Sequence, residues 1–129
     1  MTKDDRGEVT SQVVIVIPLI VFVLMIAIQA ALVFHTSAIA SAAASRGASV
    51  AAGGRTPGMA GAVSGVFAAS DLVVELGGDL ARTPSVGMVD GRVTLSVEVR
   101  VPRIVPFFPA TVVRTVVEPI ERTTLEVER

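Results

Sequence analysis

The sequence predicts an α+β chain. It expects a long N-terminal helix whose first half is embedded in a membrane, a short second helix, and a small antiparallel sheet of about three strands. Three observations lead there. An uncharged apolar run fills Val13 to Phe34. An Ala- and Ser-rich stretch without proline continues from it to Gly53-Gly54. From Val86 onward the hydropathy period changes, and after an Asp90-Gly91 pair it alternates strictly.

Val13 to Phe34 is 22 residues, of which sixteen are Val, Ile, Leu or Phe. At 1.5 Å per residue the run reaches roughly 33 Å, enough for a hydrocarbon core of about 30 Å. Insertion gains on the order of 6 kcal/mol from those side chains, and Pro18 and Gln29 offset about half of it. Pro18 falls early in the run, where a missing N–H matters least. A cleaved secretory signal is the competing reading, since Ala38-Ile39-Ala40 has the small-x-small form. The run is too long for a signal h-region, and its head, MTKDDRGE, sets Lys3 and Arg6 against Asp4, Asp5 and Glu8. A buried core helix is disfavoured because the rest of the chain could hardly cover a helix apolar all round. The expected organisation is therefore a cytoplasmic head over 1–12, a membrane helix over 13–34, a helix extension over 35–54 and an α+β domain outside the membrane over 55–129.

The extension contains Ser37, Ser41, Ser45 and Ser49 at intervals of four, beside a row of Ala40, Ala44, Ala48 and Ala52. Small residues at that spacing let another helix approach closely, so the serine row is expected to be a helix-packing face. Thr56-Pro57 reads as a helix start. Met59, Val63, Val66, Phe67 and Val74 then mark the apolar face of a second helix of about 57–76, expected to fold against the strands. Its glycines at 58, 61 and 65 weaken it. Asp90-Gly91 is a two-residue hairpin signal. After it, Val93, Leu95, Val97, Val99 and Val101 alternate with Arg92, Thr94, Ser96, Glu98 and Arg100, the pattern of a half-buried antiparallel strand. Pro102, Pro106 and Pro109 punctuate a connection to a third strand from Thr111 to Glu118. Pro119 interrupts it, and the tail through Val127 offers a further strand.

Composition excludes most chemistry. Hydrophobic residues make up 51% of the 129, charged residues 18%, and the net charge is −1, so no basic field points to nucleic acid. There is no Cys and a single His, which removes disulfides, thiol catalysis and multi-histidine metal centres. No nucleotide-binding glycine motif or nucleophile elbow is present. His35 is expected at headgroup level at the outer end of the membrane helix. Glu118 and Glu121 are expected on a solvated charged face and not as a catalytic pair. Gln29 either hydrogen-bonds to a partner helix within the membrane or is merely tolerated there. Phe107-Phe108 are expected to pack onto the helix. No catalytic residue, cofactor, metal or small-molecule substrate is expected.

The opening RGEVTSQVVIVIPLIVFVLMIAIQ, with AAASRGASVAA over 42–52, resembles the TadE/TadG-like proteins of bacterial tight-adherence (Flp-type) pilus systems. Arg6-Gly7 corresponds to the family's basic-Gly element and Pro18 to its early proline. The resemblance implies a single-pass, pilin-like protein of the cell envelope, working with other pilus-assembly proteins. It also implies cleavage by a prepilin peptidase between Gly7 and Glu8, leaving the apolar helix in place. The fifth residue after that cut, usually Glu in pilin-like proteins, is Gln12 here. A neutral amide supplies no charge, and charge-assisted hydrogen bonds are roughly twice as strong. A minor pseudopilin or assembly accessory is therefore expected in preference to a main fibre subunit. The alternative from another class is a bitopic membrane protein whose outer domain binds a ligand or regulates a partner.

Overall fold

A computed structural model describes residues 5–53 and 58–120, with side chains from Gln12 onward. The elements are α1 (Asp5–Gly53), α2 (Met59–Glu75), β1 (Asp79–Val89), β2 (Arg92–Arg100) and β3 (Thr111–Pro119). The chain is α+β, with one long helix, one short helix and a three-stranded antiparallel sheet in the order β1-β2-β3. The 49 residues of α1 form one helix of roughly 74 Å. Pro18 lies well inside it rather than in its first turn, because the helix already starts at Asp5. The carbonyl of Val14 thereby loses its intrahelical partner.

The outer half of α1 and α2 cover one face of the sheet. The core combines Ile39, Ala40, Ala43, Ala44 and Ala48 of α1 with Ala69 and Val73 of α2 and Leu95, Val97 and Val99 of β2. A second cluster joins Ala51 and Ala52 to Val93. The alternation in β2 is thus realised residue for residue, with Val93, Leu95, Val97 and Val99 all fully buried. Each such side chain contributes ~1.5–3 kcal/mol.

The helices meet at two glycines. A Cβ built on Gly65 would lie 2.5 Å from the carbonyl oxygen of Gly47 and 2.7 Å from Ala51 Cβ. One built on Gly47 would lie 2.7 Å from the carbonyl oxygen of Gly65. The close approach has a consequence for α2 that corrects the sequence-based expectation. The helix turns its small face, Gly61, Ala62, Gly65, Ala69 and Val73, inward. Met59, Val63, Phe67 and Val74 are left exposed, with Phe67 at 64%. The backbone proximity that glycine and alanine allow outweighs burial of the larger side chains. The apolar period therefore locates the helix but points to the wrong face.

β1 begins at Asp79, seven residues before the alternation becomes visible. Its register against β2 slips between Leu80 and Arg82 and again between Arg82 and Ser85, the second slip spanning Thr83-Pro84. β1 is an edge strand, where a proline in a bulge is tolerated. The hairpin turn is the expected one, with Asp90 at φ 51° and Gly91 at φ 72°. Both values are left-handed, as a type I′ turn requires. Gly91→Val should lower stability by about 1–2 kcal/mol, seen as a lower urea midpoint with an unchanged slope. β3 ends at Pro119, and Ile120 N donates to Gly91 O at 2.8 Å beside that turn. α2 starts at Met59 after Gly58 (φ 103°). The expected Thr56-Pro57 start, Glu121 and the further strand through Val127 lie outside the described residues.

The strands lie along α1 in a definite direction. Val93 sits against Ala51 and Ala52, Leu95 reaches the Gly47 level, and the residues after β2 reach Gln29. β2 therefore runs down α1 towards its N-terminal half. The hairpin turn lies at the far end of the domain, and the β2–β3 loop lies at the end nearest the apolar run.

Candidate membrane and assembly surface

α1 divides into two halves by burial. Every side chain from Gln12 to Leu24 is exposed, and partial cover begins at Met25. Only 6% of the most apolar 18-residue window is buried, so this is not the core helix of the domain. It is long and apolar enough to cross a membrane. Gly7 and Glu8 lie in the first turns of α1, and Gln12 is the first exposed side chain described.

The serine row lies beside β3 of the same chain. The Arg114 guanidinium donates to Ser37 Oγ at 2.5 Å, and Ser49 Oγ donates to Glu118 Oε1 at 3.0 Å. Between them Ser41 is half-buried and Ser45 exposed. The neighbouring alanines face α2 and the sheet. The closest small-residue packing along this helix is therefore internal, at Gly47 and Gly65. Arg114 and Glu118 sit on the surface, where single polar contacts contribute little. Glu118→Ala and Arg114→Ala should each change stability by less than about 0.5 kcal/mol in urea titrations. His35 is exposed next to Phe34, itself 78% exposed.

Gln29 is engaged within its own chain. It is 0% exposed, and its amide is engaged by the β2–β3 loop of its own chain. Nε2 donates to the Pro102 carbonyl at 3.2 Å, while Oε1 accepts from Ile104 N at 2.6 Å and Val105 N at 3.2 Å. These bonds close over more than 70 residues of sequence separation and fix the loop five residues inside the expected span of 13–34. Phe107-Phe108 divide: Phe108 is half-buried, but Phe107 is 88% exposed and does not pack onto the helix. The reason is local. A bond from Phe108 N to Val105 O places Pro106 and Phe107 at the tip of a turn.

Two functional features escape sequence reasoning. The Gly47–Gly65 contact is invisible there because the two glycines are far apart in the chain. The Gln29 latch leaves a trace, a lone amide in an apolar run and a loop bracketed by prolines, but nothing local joins the two. No group of three or more His, Cys, Asp or Glu suited to a metal occurs among the described residues. A shallow hollow beside Pro84 is lined by Arg82, Ser85, Ser96 and Glu98, and its two charges pair with each other at 3.5 Å.

Residues 7–49 match the family model described as TadE-like protein. The match covers a third of the chain, and over that third the chain resembles TadE-like proteins. The match takes in the bare half of α1 and most of the spine on which the domain is folded, ending at the serine that meets Glu118. Such a match suggests a pilus assembly component, and a long apolar N-terminal helix fits membrane anchoring. No curated protein and no solved structure matches the chain.

Proposed function

We propose that this chain is a minor, pseudopilin-like assembly component of a bacterial tight-adherence pilus or a related secretion machine, acting by helix packing in and above the membrane. The observation that carries this reading is the coincidence of the TadE-like match with a helix that is bare and apolar in one half and roofed by a folded domain in the other. The N-terminus lies in the cytoplasm and the sheet outside, with Lys3 and Arg6 on the cytoplasmic side of the span. Cleavage falls between Gly7 and Glu8 and leaves the anchor intact. Gln12 then stands where a main pilin would place a charge, which suits a subunit that joins an assembly without building its length.

Two surfaces are available to other pilus proteins. One is the bare stretch of α1 within the membrane. The other is the outward stripe of Met59, Val63, Phe67 and Val74 on α2, contiguous apolar surface of the kind that marks contact sites. Phe67→Ser should leave the urea midpoint unchanged within about 0.5 kcal/mol while reducing the number of surface pili.

The reading is tested in the native bacterium. Deleting the gene should abolish or sharply reduce piliation, and mass spectrometry of the restored protein should find a mature start at Glu8. Gln12→Glu should increase its recovery in sheared pilus fractions. Normal piliation after deletion would overturn the assembly role. A start at Ser41 would instead make the chain a secreted domain.

A further inference from the structure

The β2–β3 loop, Pro102 to Pro109, is the part of the domain nearest the bare half of α1. Its neck is closed by Val101 N donating to Ala110 O at 2.8 Å, one step beyond the Arg100–Thr111 pair. Gln29 holds its descending arm, and its tip is Pro106-Phe107. The tip carries Phe107 at 88% exposure, and Ile104 is exposed beside it. These are large apolar groups turned outward, whereas the apolar side chains of β2 turn inward.

Helix geometry sets their depth. The polar run Thr10-Ser11-Gln12 gives the inner limit of the apolar span, at Val13. Gln29 lies sixteen residues further, roughly 24 Å along the axis. A hydrocarbon core is about 30 Å thick. The acyl region therefore extends roughly 6 Å past the level at which the loop is bonded to α1, and any tilt of the helix increases that overlap. Exposed Phe34 falls near its outer limit and exposed His35 just beyond.

The backbone of the loop is prepared for such a place. Unpaired backbone polar groups are costly at membrane depth, and several of this loop's are absent or already paired. Pro102, Pro106 and Pro109 have no N–H. Ile104 and Val105 give theirs to Gln29, Phe108 gives its own to Val105, and the Pro102 carbonyl is capped by the Gln29 amide. Arg103, exposed at the same level, is long enough to bring its charge up to the headgroups while its stem stays in apolar surroundings.

We propose that the Pro102–Pro109 loop is a wedge inserted into the bilayer leaflet on the domain side, with Ile104 and Phe107 among the acyl chains and Arg103 at the headgroups. The inference rests on the membrane reading of α1 and deepens it. The wedge fixes the height of the domain above the membrane and presses it against the lipid surface on one side of the helix.

The protein has no Trp, so a single introduced Trp reports its own surroundings. Full-length Phe107→Trp, Val21→Trp and Val89→Trp are reconstituted in phosphatidylcholine/phosphatidylglycerol vesicles made with acyl-chain-brominated lipid. All three positions are exposed, so the core is left alone. Val21→Trp reports the span itself, and Val89→Trp reports the far end of the domain beside the hairpin turn. The expected result is strong quenching and blue-shifted emission at Val21→Trp, at least half that quenching at Phe107→Trp, and none at Val89→Trp. Quenching at Val21→Trp with none at Phe107→Trp overturns the wedge and leaves the membrane anchor standing, pointing to a protein partner for Phe107. Absence of quenching at both overturns the anchor and the wedge together.

Discussion

Gly65→Leu is expected to unfold the domain that α2 and the sheet form on α1. The two helices touch backbone to backbone at this position, where even a Cβ would come to 2.5 Å from the Gly47 carbonyl oxygen. That neighbour is main chain in the middle of a helix and cannot turn aside as a side chain can. Inserting bulk into a well-packed contact costs about 1–3 kcal/mol when neighbours can adjust. Leucine here has to push α2 off α1, which also opens the contacts of Ala69 and Val73 with the sheet. The loss should exceed about 3 kcal/mol, a large share of the ~5–15 kcal/mol that holds a typical domain together. Gly65→Ala gives a finer measure. Its helix propensity improves by about 1 kcal/mol, so a net loss of stability can only come from the close contact. Gly87→Ala is the control, since a Cβ there meets nothing within 4 Å. Urea titration in detergent, followed by far-ultraviolet circular dichroism, separates these cases. Wild-type stability in Gly65→Leu would show that the helices do not cross as described.

The second large effect is expected at Gln29→Leu. The substitution keeps an apolar side chain of similar length but leaves Ile104 N–H, Val105 N–H and the Pro102 carbonyl without their partner. A buried polar group deprived of its bond costs ~1–3 kcal/mol. With the bond to Val105 the most buried of the three, the total comes to about 2–4 kcal/mol. The loss is local: the loop should detach from α1 while β2 remains anchored by Val93 to Val99. Hydrogen exchange shows this directly. The amides of Ile104 and Val105 should exchange faster in the variant by about two orders of magnitude, and those of Leu95 and Val97 should change little. Gln29→Glu keeps the acceptor but buries a charge, so it should not restore protection at neutral pH. Unchanged exchange at Ile104 and Val105 would rule out the latch.

How far these features are legible in the sequence depends on the range of the interactions that create them. α1 and β2 can be read because their signals are local: an uncharged run, an alanine-rich continuation, and strict alternation after Asp90-Gly91. β3 is located within one residue because prolines mark both its ends. β1 is visible only in its last third, since Pro84 hides a bulged edge strand from any test of period. For α2 the position is right and the orientation wrong, because the large apolar residues lose to a glycine on another helix that no local window includes. The same limit applies to the candidate residues. The sequence marks the Ser37–Ser49 row and Gln29 only as candidates for contact with another helix. What uses them is a strand and a loop some 70 residues later in the same chain.

Between Pro18 and Gly47 the long helix contains neither proline nor glycine. The domain is clamped to the helix by Gln29, within this stretch, and by Ala51, just beyond it. The protein is in effect a shaft with its load bolted on, with no swivel at the membrane surface. Orientation in the lipid must then be transmitted outward at full amplitude. From Gln29 to Gly53 is roughly 36 Å, so an ordinary tilt of ~20° carries the top of the domain sideways by about 12 Å. A neighbour that grips only the buried shaft can thereby aim everything mounted on it.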